Sequence, residues 1–168
     1  TLWAQGDRLL VRQGNRLYRK QQFAKSEVEY RKAIARNAEN SQAIYNLGCA
    51  LMQLQKDSAA IAQLENAGKM ETNKTRKAMA YHNIGTICQR HQLYGDAIKA
   101  YQEALRNNPN DNETRYNLAL CKRLNKNNKG QQKQQKQQIV EIERNGKGIK
   151  ELYLAIPTKN TTAYQSIG

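Results

Sequence analysis

The sequence predicts an all-α fold, a helical-repeat superhelix of three helix–turn–helix units and a capping helix, followed by a largely disordered polar tail. Three observations carry that prediction. Small residues recur at a near-constant spacing: Gly14 and Gly48 are 34 residues apart, Gly48 and Gly85 are 37 apart, and Gly85 and Ala119 are again 34 apart. Ala33, Ala67 and Ala104 keep the same offsets, and on that alignment Tyr30, Leu64 and Tyr101 coincide, as do Ser26, Ala60 and Ala97. Finally, nine tyrosines stand beside one tryptophan, one phenylalanine and only two prolines, which favours helices over strands and turns. A unit of this length cannot bury its apolar face alone and does so by stacking on the next.

At 168 residues the chain has room for one domain of about 100–150 residues with a core, plus a tail. Residues 1–6 open on TLWAQ, apolar then small, which reads as the end of a signal peptide or as a frayed terminus. Repeats follow over about 7–40, 41–77 and 78–111, with a capping helix over 112–124. Gly14, Gly48 and Gly85 let the second helix of each unit approach the first, and the three alanines do the same between units. Three extra residues fall within AGKMETNKTRK, so the second unit is expected to end in a longer helix or a bulged loop. Pro109 follows a helix ending near Asn107, and Asn110–Asp111 supplies the turn and cap for the helix from Asn112. Residues 125–138, NKNNKGQQKQQKQQ, have no apolar face and read as a mobile Lys/Gln/Asn-rich linker. In the tail over 139–168, the stretch IVEIERNGKGIKELYLAIP regains apolar residues, enough for a short helix or strand pair, and TKNTTAYQSIG reads as disordered. No run of 18 apolar residues exists.

Net charge is +14, from 28 basic and 14 acidic residues, and its distribution decides what it means. Residues 7–36 carry nine basic and three acidic side chains, and residues 122–138 carry six basic and none acidic. Binding of nucleic acid or an anionic surface through these patches is the alternative reading. Against nucleic acid, the basic residues are not interleaved with exposed aromatics and no recognition motif is present.

Chemistry is the weaker class. The segment YHNIGTICQRH (81–91) holds Cys88 and both histidines, but His82 and His91 are nine residues apart, about 13 Å along a helix and half a turn round it. Cys88 and His91 are close enough to share a metal yet lack a third and fourth ligand. With Cys49 and Cys121 the cysteines number three, an odd set that does not pair fully within one chain. A nucleophilic Cys88 in mid-helix has its neighbouring amides committed to the helix, and NGKGIK at 145–150 lacks the features of a phosphate loop. No enzyme activity, cofactor or metal is expected.

The period and its pattern, clearest at Tyr81, Ile84, Gly85, Tyr94, Ala97, Tyr101, Ala104 and Pro109, resemble the tetratricopeptide repeat. The resemblance implies that the first helices of successive units line a concave groove where a partner peptide or helix lies. On a helical projection Arg8, Arg12, Asn15 and Arg19 share one face of the first helix. Equivalent positions are Gln42, Tyr45, Asn46 and Cys49, then Met79, His82, Asn83 and Thr86, then Glu113, Tyr116, Asn117 and Leu120. From these the expected contacts are Arg8, Arg12, Asn15, Arg19, Tyr45, Asn46, Met79, His82, Asn83, Tyr116 and Asn117. Asparagine amides can donate to and accept from a peptide backbone while arginines hold a carboxylate, so an acidic protein segment is the expected ligand. Some relatives clamp a C-terminal carboxylate with Lys and Asn; here Arg12, Asn15, Asn46 and Asn83 reproduce that in part, and Met79 stands where a basic residue is wanted. A co-chaperone role is not expected.

The runs EVEYRKAIARNAENSQAIYNLGCAL and KAMAYHNIGTICQRHQLYGDAIKAYQEALRNNPNDNETRYNLALCKRLNKNNK, followed by a Gln/Lys-rich segment, resemble the BatC family of the Bacteroides aerotolerance (Bat) operon. That resemblance implies export to the periplasm or cell envelope and association with von Willebrand factor A-type partners such as BatA and BatB, in aerotolerance or stress response. The segment from Ile139 departs from the acidic, Gln-rich tails of that family.

Overall fold

A computed structural model describes the backbone of residues 2–144 and the side chains of residues 6–138. Residues 145–168, which hold most of the expected tail, lie outside the described residues. The described chain is helical throughout: α1 Leu2–Arg19, α2 Phe23–Arg36, α3 Ser41–Gln53, α4 Asp57–Met70, α5 Lys74–Arg90, α6 Tyr94–Asn107 and α7 Asn112–Arg144. Each helix packs on the next in sequence, and α1 also meets α3, as α3 meets α5. The core runs continuously through the stack, from Tyr30 through Leu47, Leu51, Leu64 and Ile84 to Tyr101 and Cys121.

The recurrent small residues sit where the helices cross. A methyl group on Gly14 would lie 2.4 Å from the Tyr30 ring, one on Gly48 2.7 Å from Leu64, and one on Gly85 2.5 Å from the Tyr101 ring. Ala33, Ala67 and Ala104 are fully buried between units. The period is therefore a packing period: a small residue on the first helix receives a large one from the second.

Each first helix ends the same way. Gln21, Gln55 and Gln92 adopt left-handed φ of 58°, 58° and 60°, and the following amide reaches back to the helix, as in Leu93 N to Cys88 O at 2.8 Å and Lys56 N to Leu51 O at 2.9 Å. This closure caps the orphan carbonyls but costs a residue with a Cβ about 1–2 kcal/mol. Part of that cost returns on substitution by glycine, after its greater unfolded-state entropy is subtracted. Gln55→Gly is expected to stabilise the fold by a few tenths to about 1 kcal/mol, and Gln55→Ile to destabilise it; thermal melting of the two variants checks the sign.

The three inserted residues act differently from either expectation. Helix α4 has 14 residues, as do α2 and α6, whereas α5 has 17 against 13 in α3. The insertion adds a turn to the start of α5, because Asn73 caps it by accepting from Arg76 N at 3.1 Å. Helix α7 departs from the sequence reading too: it continues from the capping segment through 125–138 to Arg144. Of residues 126–138 all are exposed except the half-buried Gln135, so the segment is unpacked as expected but helical.

Carboxylates tie the helix junctions. Asp7, buried on α1, accepts from Asn37 and Asn40 at 3.0 and 3.1 Å, and these bonds, Asn37's first, hold it below its ordinary 3.8. Burial pushes Glu27 and Glu71 up, but Lys56 and Arg31 outweigh it for Glu27, and Arg76, Asn73 and Ser41 for Glu71, leaving both below 4.5. Asp111 is lowered by the Thr114 amide it caps. A depressed acid contributes stability above its unfolded-state value and loses it as pH falls through the folded value. The melting temperature is thus expected to hold between about pH 7 and 5 and to fall below about pH 4; no fall there would contradict these ties.

Candidate functional site

Helices α1, α3 and α5, the first helices of the three units, carry two adjoining depressions. The first, of about 330 Å³, is lined by Asn15, Tyr18, Arg19, Tyr30 and Cys49, with Tyr45 and Asn46. The second, of about 250 Å³, lies between Gln42, Ser41 and Ala67 on one side and Arg76, Met79 and Ala80 on the other. Tyr45 and Asn46 border both, so they form the ridge between them.

The asparagine ladder is partly used by the protein itself. Asn15 Oδ1 accepts from Tyr30 Oη at 2.8 Å and from Asn46 Nδ2 at 2.9 Å. This leaves the Asn15 amide protons and Asn46 Oδ1 for a ligand, a donor and an acceptor side by side. Asn83 is turned inward, donating to Tyr45 Oη at 3.2 Å and weakly to Cys49 Sγ at 3.5 Å. Burial raises the Tyr45 phenol strongly and raises the Cys49 thiol, so both stay protonated at neutral pH and Cys49 is a poor nucleophile.

The remaining expected contacts divide. Arg8, Arg12 and Arg19 are exposed on α1, and none forms an ion pair with a carboxylate among the described residues. Met79 is 47% and Tyr116 69% exposed, large apolar surfaces open to a ligand on α5 and α7. Asn117 is half-buried. His82 differs: its side chain is only 18% exposed, and Nδ1 lies 2.6 Å from Thr114 Oγ1. Because the Thr114 hydroxyl donates to Asp111 at 2.7 Å, His82 is the donor and serves as a clip between α5 and α7. His91 is equally engaged, at 2.6 Å from Asp57, whose other oxygen accepts from Arg90. Cys88 is fully buried in the core. Among the described residues no cluster of three or more His, Cys, Asp or Glu is placed to hold a metal ion.

Sequence reasoning missed Tyr18, Ser41 and Arg76. Tyr18 was legible as the residue three after Asn15 on the same face. Arg76 was not, because it stands on the turn that the insertion adds to α5. It reaches the second depression already paired, 2.9 Å from Glu71, which also accepts from Ser41 at 3.1 Å.

Family models of the tetratricopeptide repeat match residues 11–69 and 78–111, together more than half of the chain. Among curated proteins, "Protein STIP1 homolog" of Dictyostelium discoideum is 29% identical over 117 residues, 67% of this chain. The chain spans only about a fifth of that protein's length, 21%. Among solved structures, the first TPR of Spaghetti (RPAP3) bound to HSP90 peptide SRMEEVD is 22% identical with a TM-score of 0.65, covering 71% of this chain and 92% of that one. The N-terminal domain of stress-induced protein-1 from C. elegans is 18% identical with a TM-score of 0.67, covering 73% and 98%. At these identities the structural likeness is one of fold.

Proposed function

The chain belongs to the tetratricopeptide-repeat family, and from that premise we propose that it is a protein–protein interaction scaffold that holds an acidic segment of a partner across α1, α3 and α5. The observation that carries this is the pair of depressions meeting at Tyr45 and Asn46. They lie beside an arginine stripe, Arg8, Arg12 and Arg19, that pairs with no carboxylate among the described residues. The tyrosine rings offer apolar contact, the Asn15 and Asn46 amides bond to an extended backbone, and Arg19 with Arg12 and Arg8 meets carboxylates. One relative in fold is bound to an HSP90 peptide. This chain has the exposed thioether of Met79, with Asn83 turned inward, where a carboxylate clamp needs charge, so an internal acidic segment suits it better than a chain terminus.

The resemblance to the BatC family, over residues 27–51 and 77–129, supports a cell-envelope location and BatA- and BatB-type partners in aerotolerance or stress response. Capture of the soluble parts of BatA and BatB on the immobilised full chain tests both levels. Retention by wild type and loss with Arg12→Glu and Arg19→Glu together is the expected result. Capture of neither removes the Bat assignment, and capture indifferent to the arginines removes the groove.

A further inference from the structure

The continuation of α7 beyond the repeats gives the second basic patch a geometry that composition alone does not. Lys122, Lys126, Lys129, Lys133 and Lys136 recur at intervals of four, three, four and three. On one helix that spacing places all five within an arc of about 80° and a length of about 21 Å. All five are exposed. No acidic residue occurs between 122 and 138, and from 125 to 138 the other faces carry only Asn and Gln, with Gly130; Ile139, Val140, Glu141, Ile142, Glu143 and Arg144 complete the helix. The result is a single-faced row of cations on a helical stretch, residues 126–138, that is exposed except for the half-buried Gln135.

We propose that this row is an electrostatic docking face for an anionic lipid surface. A plane meets a straight row on one face all at once, and each lysine near such a surface strengthens binding about fivefold. Between 125 and 138 the helix has no apolar residue to insert, so this stretch makes contact by adsorption at the headgroups, reversed by salt. Nucleic acid fits less well. A helix in a major groove has phosphates on both flanks and wants cations on opposite sides, whereas these lie in one arc. Single strands want aromatic stacking platforms, and residues 122–138 contain no aromatic. The inference is independent of the groove, whose two depressions are lined by residues between Asn15 and Ala80.

Co-sedimentation of the full chain with phosphatidylcholine vesicles, with and without phosphatidylglycerol, tests it. Lys126→Gln, Lys129→Gln, Lys133→Gln and Lys136→Gln together keep helix propensity. Binding to the phosphatidylglycerol vesicles at low salt is expected, with loss at high salt and a fall of at least about 100-fold in the glutamine variant. Arginine at the same four positions is expected to retain it. Absence of binding to anionic vesicles, equal binding by the glutamine variant, or displacement from vesicles by an equal phosphate concentration of duplex DNA would overturn the proposal.

Discussion

Tyr101→Ala is expected to cost about 3–5 kcal/mol, the range for deleting a buried aromatic ring. The ring is fully buried between α5 and α6, and its hydroxyl donates to Gln89 at 2.8 Å. Burial pushes that phenol up to about 12. The cavity left behind faces Gly85, which has no side chain with which to fill it. In a domain of this size the melting temperature should fall by roughly ten degrees or more. The sharper expectation concerns the pair. Gly85→Ala alone places a methyl 2.5 Å from the ring and should destabilise by about 1–3 kcal/mol. In the Tyr101→Ala background the same methyl enters empty space and gains about 1 kcal/mol of helix propensity, so its effect should change sign. Denaturant titration of the four proteins in a double-mutant cycle reads this coupling; additive effects would mean that the glycine does not receive the ring.

Arg12→Glu with Arg19→Glu is expected to weaken partner binding by about 100-fold or more. Each charge-assisted hydrogen bond to a carboxylate contributes about 1.5–3 kcal/mol, and reversal adds repulsion to the loss. Stability should move by no more than about 0.5 kcal/mol, since both side chains are exposed and neither holds a carboxylate among the described residues. A solvated stripe with no role would show a change of less than about threefold and a weak salt dependence.

The repeat was legible in the sequence because Gly14, Gly48 and Gly85 must be small for Tyr30, Leu64 and Tyr101 to seat. The cap of α7 was legible because Asp at a helix start has one favoured use, as Asp111 shows with the Thr114 amide at 3.0 Å. The start of α5 was not, since KMETNKTRK has too few apolar residues to set a helical phase. Helix α7 beyond Leu124 was not legible either: the absence of an apolar face argued for a linker, while Gln and Lys are good helix formers in their own right. At the site, phase alone put His82 and Asn83 on the groove face. Their partners Thr114 and Tyr45 come from neighbouring units, 32 and 38 residues away, and only the register between units reveals those bonds.

The central claim, that an acidic protein segment lies across α1, α3 and α5, is tested most directly by photo-crosslinking. A photoreactive side chain at Gln42 or Met79, both exposed at the second depression, is compared with one at Gln102, exposed on α6. In native extract the full chain is expected to give one discrete protein adduct from positions 42 and 79, none from 102, and none when Arg12→Glu and Arg19→Glu are present. An adduct from position 102 alone, or one that survives the arginine reversal, would contradict the account.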